Sequence, residues 1–267
     1  MFSAAEAYER FMGRWSRRLA RKFVEFVGVG DGDCVLDVGS GTGSLLLTIL
    51  NQFATTRATA IDPAIEFVNF ARAQAETAHA GRATFEQGDA QRLRFADVTF
   101  DKSLCALVLN FVSDRDAALR EMIRVTRTDG VVAAAVWDYG QGMEMLRMFW
   151  EEAAALDAAA AGKDERHMPL CRAGELAAMW RANGLIEVEE RPLVIAMEFS
   201  SFDDFWLPFL GGQGPAGAYA STLPKRRQQQ LEERLRRRLL RDRDDGAIEL
   251  RARAWAVKGV AATGIVP

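Results

Sequence analysis

The run Cys34-Val35-Leu36-Asp37-Val38-Gly39-Ser40-Gly41-Thr42-Gly43 decides how the rest of the chain is read. Val35, Leu36 and Val38 make a short apolar strand that feeds a turn with glycine at every second position. Ser44-Leu45-Leu46-Leu47-Thr48-Ile49-Leu50 follows directly and starts a buried helix. Strand, glycine turn and helix together suit an anion or a nucleotide. Glycine permits positive φ and close backbone approach, and the first N–H groups of the helix lack intrahelical partners.

Working outward, the pattern alternates. Upstream, residues 8–27 place Tyr8, Phe11, Met12, Trp15, Leu19, Phe23 and Phe26/Val27 on one helical face, with Arg14, Arg17, Arg18, Arg21 and Lys22 mostly on the other. Downstream, strands are expected at 58–61, 83–86, 103–109 and 131–137, with helices at 64–78 and 114–125. Apolar strands alternating with helices predict a doubly wound, mainly parallel α/β sheet covered on both faces. Its ligand then lies outside the carboxyl ends of the strands. The glycine turn, Asp62, Asp89-Ala90 and Leu109-Asn110 all fall at those ends. In the second half, helices are read at 142–161, 175–182 and 224–243, and strands at 188–199 and 248–257. The last run alternates with period two and is expected as a final antiparallel strand, giving seven strands with a helical cap (200–245) inserted before the last. The 267 residues are read as one domain, with 1–30 as a helical entry segment.

Composition narrows the class. A net charge of −3 gives no global pull towards nucleic acid or anionic lipid. Cys34, Cys105 and Cys171 lack metal or disulfide spacing, so no metal is expected, and the first two read as small buried hydrophobes. No apolar h-region opens the chain and no window approaches the ~20 apolar residues of a membrane span, so a cytoplasmic protein without membrane contact is expected. His79, near the end of its helix, is read as solvated.

Two cofactor classes compete for such a turn. The dinucleotide fingerprint G-x-G-x-x-G wants its third glycine where Ser44 stands, although Asp62 does lie at a suitable distance for its acidic partner. The Tyr-x-x-x-Lys pair of short-chain hydride-transferring enzymes is missing, because Tyr8, Tyr139 and Tyr219 are followed four residues later by Met12, Met143 and Leu223.

The set resembles the class I S-adenosylmethionine-dependent methyltransferases, small-molecule branch. Val-Leu-Asp-Val-Gly-Ser-Gly-Thr-Gly is similar to their first motif, Ala-Ile-Asp-Pro to the second and Gln-Gly-Asp-Ala to the third. The stretch from Ser103 to Val112 and that from Ala118 to Val132 resemble the region of strands four and five. The resemblance covers about residues 8–140, and Tyr-Glu-Arg-Phe-Met-Gly-Arg-Trp-Ser-Arg resembles an entry helix found in a subgroup. It implies S-adenosyl-L-methionine as cofactor and these roles. Gly39, Ser40, Gly41 and Gly43 would bring the backbone to the methionine end, with Asp37 near its ammonium group. Asp62 would accept from both ribose hydroxyls, and Pro63 and Ala64 would flank the adenine. Asp89 would take the adenine amino group and the Ala90 N–H a ring nitrogen. Asn110 would face the transferred methyl, and Tyr8 and Arg14 of the entry segment join the cofactor set.

A general base is needed only if the nucleophile arrives protonated. Asp114, Asp138 and Tyr139 at strand ends and His167 on a loop are the candidates. Nucleic acid is disfavoured as acceptor. Asn110-Phe111-Val112-Ser113 lacks the prolines of amino-methylating nucleic-acid enzymes, Cys105 and Cys171 have no activating motif, and the basic run 225–243 repeats leucine every four residues as an amphipathic helix does. Phe202, Phe205, Trp206 and Phe209, with Phe149 and Trp150, read equally as an apolar substrate pocket or as cap packing. A small, partly apolar methyl acceptor is expected. A nicotinamide (NAD(P)) oxidoreductase and a non-catalytic methyltransferase-like binding protein stay as alternatives, and a homodimer stays open.

Overall fold

The computed structural model describes residues 3–75, 79, 81–241 and 243–262. In chain order, α1 (Ala4–Tyr8), a π-helical turn (Glu9–Gly13) and α2 (Arg14–Val27) lead into β1 (Cys34–Val38), α3 (Ser44–Gln52), β2 (Arg57–Asp62), α4 (Ile65–Ala75) and β3 (Ala83–Gln87). There follow β4 (Phe100–Ala106), α5 (Arg115–Val125), β5 (Thr126–Trp137), α6 (Glu144–Leu156) and α7 (Glu175–Ala182). The chain ends with β6 (Ile186–Phe199), α8 (Phe202–Trp206), α9 (Gly214–Thr222), α10 (Lys225–Leu240) and β7 (Ile248–Val260).

The strands form one seven-stranded sheet in the order β3-β2-β1-β4-β5-β7-β6. The first five pair in parallel, with Leu36 opposite Thr59 on one side and Ser103 on the other. β7 runs the other way: Asp129 N–H reaches Ala261 O, whereas Asp138 N–H reaches Arg253 O. The chain winds outward from β1 to β3 and then returns to β4 on the other side of β1. The direction of winding therefore switches between β1 and β4, which is where doubly wound sheets open a crevice. Along the chain, helices α8 to α10 come between β6 and β7, as the separation of the two expected strands implies.

Four expectations need correction. The apolar run 103–109 is not one strand. β4 ends at Ala106, Leu107 turns into the left-handed region at φ 67°, and Leu109–Phe111 is a 3-10 turn. An apolar run reports burial, and Leu109 is fully buried without belonging to the ladder. His79 is not solvated. Only 7% of it is exposed, its Nδ1 lies 3.2 Å from the Arg82 guanidinium, and burial together with that charge lowers its pKa. Cys34 is half-buried rather than buried, because it opens β1, with its N–H bonded to the Asp101 carboxylate. The helix read over 142–161 stops at Leu156, where the Asp157 side chain accepts from Ala159 N–H and caps a separate 3-10 turn. The expected end of the helix at 76–78 lies outside the described residues.

The contacts divide the chain into two compact units. One comprises Ser16–Val136, Pro169–Leu193 and Ala254–Pro267. Its core holds Leu36, Leu46, Ile49, Leu104, Val132 and Trp180, all fully buried. The Trp180 indole N–H spends its polarity on Val132 O at 2.9 Å, and the buried Thr126 and Ser103 hydroxyls satisfy each other at 2.7 Å.

The other unit comprises Met1–Trp15, Trp137–Met168 and Val194–Arg253. Aromatic rings dominate its interior. Phe209 stacks on Phe149 at 4.6 Å and meets the edge of Phe11 at 5.1 Å, while Phe205 packs between Phe199 and Phe209. Phe202, Phe205, Trp206 and Phe209 are thus consumed in packing against each other and their neighbours. The leucine stripe of α10, Leu231, Leu235 and Leu239, is buried too. Arg234 pairs with Glu152 at 2.8 Å, and Arg238 with Glu151 and Glu152 at 2.5 and 3.0 Å, which ties this basic helix to α6. Replacing Phe209 by Ala is expected to destabilise the protein by about 3–5 kcal/mol, read as a shift of the urea midpoint at unchanged slope.

Candidate functional site

The carboxyl ends of β1, β2 and β3 are laced to one another by hydrogen bonds within the unit that carries them. Gly39 and Ser40 N–H both donate to Ile61 O at 2.9 Å, which fastens the glycine turn to the end of β2. The Asp62 carboxylate continues the link, accepting Gly41 N–H on Oδ2 and Ala64 N–H on Oδ1, each at 2.9 Å. Gly88 N–H reaches Asp62 O at 3.1 Å and brings in the end of β3. The segment after β4 closes in from the other side, where Val108 lies against Gly39.

Each glycine has its own reason. Gly39 has φ 74°, and a Cβ there would stand 2.6 Å from Val108 Cγ1. Gly43 has φ 87° and opens α3 without a side-chain cap. Gly41 has φ 52°, and a Cβ added to it would meet nothing within 4 Å among the described atoms. Backbone freedom at 39 and 43 shapes the turn, whereas Gly41 keeps one side of it open.

Two carboxylates serve this turn. Asp37, the fourth residue of β1, is 1% exposed. Its Oδ2 accepts Leu46 N–H at 3.1 Å from the start of α3, and its Oδ1 has no partner among the described residues. Burial, opposed by the Leu46 N–H and reinforced by the Asp62 charge, pushes its pKa up to about 7. Burial also raises Asp62, against the pull of the Ala64 and Gly41 N–H groups. Cys105, fully buried in β4, is pushed up to about 12 by burial and by Asp37, so its thiol is not a nucleophile. An orphaned, nearly dry carboxylate oxygen beside a glycine turn invites a cationic donor.

The expected cofactor residues of this unit are thereby brought to one end of the sheet: Asp37, Gly39, Ser40, Gly41, Gly43, Asp62, Pro63, Asp89, Ala90 and Asn110. Pro63 and Asp89 are exposed, Ala90 is half-buried, and Asn110 is buried in its 3-10 turn. The other expected residues belong to the second unit. Arg14 is engaged there: its guanidinium bonds the Asp204 carboxylate at 3.0 Å and lies over the Trp15 ring. Tyr8 ends α1, half-buried. Asp138 is buried with Oδ2 held by the Arg253 guanidinium at 2.6 and 2.9 Å and Oδ1 by Gln141 N–H. Tyr139 is in the following turn, half-buried, and His167 is exposed at the end of a short 3-10 turn. Two residues before His167, the buried Glu165 carboxyl accepts the Trp150 indole N–H, and burial raises its pKa. Among the described residues no group of three or more His, Cys, Asp or Glu is arranged to hold a metal, and no helix is long and apolar enough to cross a membrane.

Sequence reasoning missed Leu107, Val108 and Gln91. Val108 and Leu107 look like ordinary strand residues in a one-dimensional pattern. Gln91 carries no motif, yet its side chain joins Asp89 to Ser113 and Asp114.

Comparison with known proteins agrees with the geometry. Residues 35–130 match a family model described as a methyltransferase domain. A ubiquinone/menaquinone biosynthesis C-methyltransferase UbiE from Bdellovibrio bacteriovorus is 36% identical over 121 residues, which is 45% of this chain and 50% of that protein. A demethylmenaquinone methyltransferase from Roseiflexus is 37% identical over 98 residues, 37% of this chain and 40% of that protein. The matches thus span about half the length of these curated relatives or less. Among solved structures, the YcgJ protein of Bacillus subtilis shares the fold with TM-score 0.60 and 20% identity, over 94% of this chain and all of that one.

The glycines give a contrast that can be measured. Gly39→Ala meets both a left-handed φ and the Val108 side chain, and is expected to destabilise by about 2–4 kcal/mol. Gly41→Ala meets only the backbone strain and is expected to destabilise by about 1–2 kcal/mol. Thermal and urea unfolding of the two variants side by side checks the order.

Proposed function

We propose that this chain, which carries a methyltransferase domain over residues 35–130, transfers a methyl group from S-adenosyl-L-methionine to an O, N or C atom of a small, partly apolar acceptor by in-line displacement. The observation that carries the reading is the buried Asp37 carboxylate with its unpartnered Oδ1 beside the glycine turn. A phosphate would meet like charge there. The α-ammonium of a methionine moiety would supply the donor that this oxygen lacks. That distinguishes this site from a nicotinamide dinucleotide site, for which Ser44 also replaces the third glycine.

The residues present fit the cofactor. Asp37 would hold the ammonium group, and the open side of Gly41 would admit the methionine backbone. Asp62 keeps a further lone pair on each oxygen beyond those taken by Gly41 and Ala64, enough to accept from two ribose hydroxyls. Asp89 would accept from the adenine amino group, the Ala90 N–H would donate to the ring, and Asn110 would stand towards the methyl end. When bound, S-adenosylmethionine supplies a methyl group already activated by its sulfonium. The protein's task is alignment and exclusion of water, which is worth several kcal/mol of barrier. If the acceptor arrives protonated, His167, Asp138 and Tyr139 are the side chains to test as base; Asp138 would have to serve while held by Arg253 and Gln141. The C-methyltransferase among the relatives puts carbon acceptors early in any screen.

Calorimetry with S-adenosylhomocysteine and with NAD separates the readings. The first is expected to bind and the second not, with Asp62→Ala losing at least tenfold in affinity, the scale of one bond to a charged group. Binding of NAD alone overturns the proposal. An acceptor screen that follows S-adenosylhomocysteine release then tests turnover, and cofactor binding with no release in the presence of any acceptor would leave only the binding-protein alternative.

Asp37 predicts a pH dependence. Its folded pKa of about 7 lies above the ordinary carboxyl value of 3.8, so its contribution to stability is full below about pH 4 and is lost as pH rises through 7. A ligand ammonium favours the ionised carboxylate and so reverses that trend in binding. Affinity for S-adenosylhomocysteine is expected to rise about tenfold between pH 5.5 and 7, then fall as the ligand's α-amino group loses its proton near pH 8. Asp37→Asn is expected to remove the acid limb of this bell.

A further inference from the structure

Gln91 is the side chain whose geometry the cofactor reading leaves unused. It stands two residues beyond Asp89, in the turn that closes when Arg92 N–H bonds Asp89 O at 3.1 Å. Its backbone N–H donates to Asp89 Oδ1 at 2.9 Å, and its Nε2 lies 3.2 and 3.3 Å from the two Asp89 oxygens. On the other side of the amide, Oε1 accepts the Ser113 hydroxyl and the Asp114 N–H, each at 2.9 Å. The orientation of the amide is unambiguous, because a backbone N–H only donates and so fixes the oxygen on the side of Asp114. Asp114 in turn caps α5 by accepting Ala117 N–H at 2.9 Å. One side chain thus links the end of β3 to the segment that carries Asn110 and Phe111. That segment is already constrained by the left-handed Leu107 and by Phe111 N–H to Val108 O at 2.8 Å.

We propose that Gln91 is the positioning residue that makes the site selective for adenine, by holding the Asp89 carboxylate in one orientation and joining it to the β4–α5 segment. The inference rests on the cofactor reading above and says which chain group enforces it. An exposed carboxylate free to rotate discriminates poorly, since it turns away from a base that offers it an acceptor. Held by two donors of one residue, it keeps its remaining lone pairs directed outward. A 6-amino group then gains a bond, and a 6-oxo group meets like polarity that it cannot escape. The same amide transmits occupancy of the adenine end to residues 110–114 through Ser113 and Asp114. Gln91 touches no reacting atom in this account and acts through Asp89.

The test compares S-adenosylhomocysteine with S-inosylhomocysteine by calorimetry on the full chain; the two differ at the 6-position of the base and in the proton that the 6-oxo base carries on N1, and the latter difference is common to the natural protein and the variants. Gln91→Met keeps length and volume and loses the side-chain bonds. It is expected to narrow the affinity ratio between the two ligands about tenfold, through weaker binding of the first. In hydrogen exchange, S-adenosylhomocysteine is expected to slow amides at 110–115 in the natural protein and not in Gln91→Met, while protection at 39–43 persists in both. Gln91→Glu keeps acceptors for Ser113 and Asp114 but sets like charge against Asp89. It is expected to narrow the ratio as well while leaving unliganded exchange at 110–115 unchanged, and it serves if Gln91→Met does not fold. A ratio within twofold of the natural protein in either folded variant, or equal weakening of both ligands, overturns the proposal. A natural protein that binds neither ligand overturns the cofactor reading itself.

Discussion

Asp62 is held by two backbone N–H groups that belong to different loops, Gly41 in the glycine turn and Ala64 at the approach to α4. Burial raises the pKa of this carboxyl, and the two donors pull against that rise by standing in for water. The end of β2 does more than carry that side chain. Ile61 O takes the N–H groups of Gly39 and Ser40, and Asp62 O takes that of Gly88. Without this post, the glycine turn and the loop after β3 would have no common anchor. Hydrogen bonds to a charged group are worth about 1.5–3 kcal/mol each. That is enough to hold a glycine-rich turn, which loses more entropy on ordering than any other composition.

The arrangement divides the labour between two kinds of carboxylate. Asp62 is satisfied by the protein and offers its spare lone pairs, whereas Asp37 has an oxygen that the protein leaves bare. The first makes a framework and the second makes a demand. Hydrogen bonds of this kind fix the turn and the Asp62 carboxylate in one geometry within the chain itself.

Much of this was legible in the sequence because each strand-end residue is local to its own strand. The glycine turn, Asp62 and Asp89 can be placed by counting from apolar runs, and the parallel order follows from the strand–helix alternation. What could not be read was pairing across long separations. Nothing near Arg14 announces Asp204, nothing near Asp138 announces Arg253, and the two arginines of α10 that neutralise Glu151 and Glu152 look from the sequence like a free basic face. His79 was misplaced in solvent for another reason: it is buried beside Arg82 only three residues on, a local contact that no apolar pattern marks. The end of β4 failed for a different reason: hydrophobicity continues through Leu109, and only a backbone angle at Leu107 reveals that the ladder has stopped.

Leu107 has a consequence for how such a chain can diverge. A left-handed leucine costs about 1–2 kcal/mol relative to a relaxed backbone. Its N–H nonetheless bonds Ala135 O at 2.7 Å, so the conformation is locked by the neighbouring strand. Substitution at 107 is therefore directional. Glycine, asparagine or aspartate relieve the strain, and a valine or isoleucine deepens it, although either would look conservative in an alignment of apolar residues. Drift that ignores this asymmetry would displace Val108, and with it the surface against which Gly39 makes its turn.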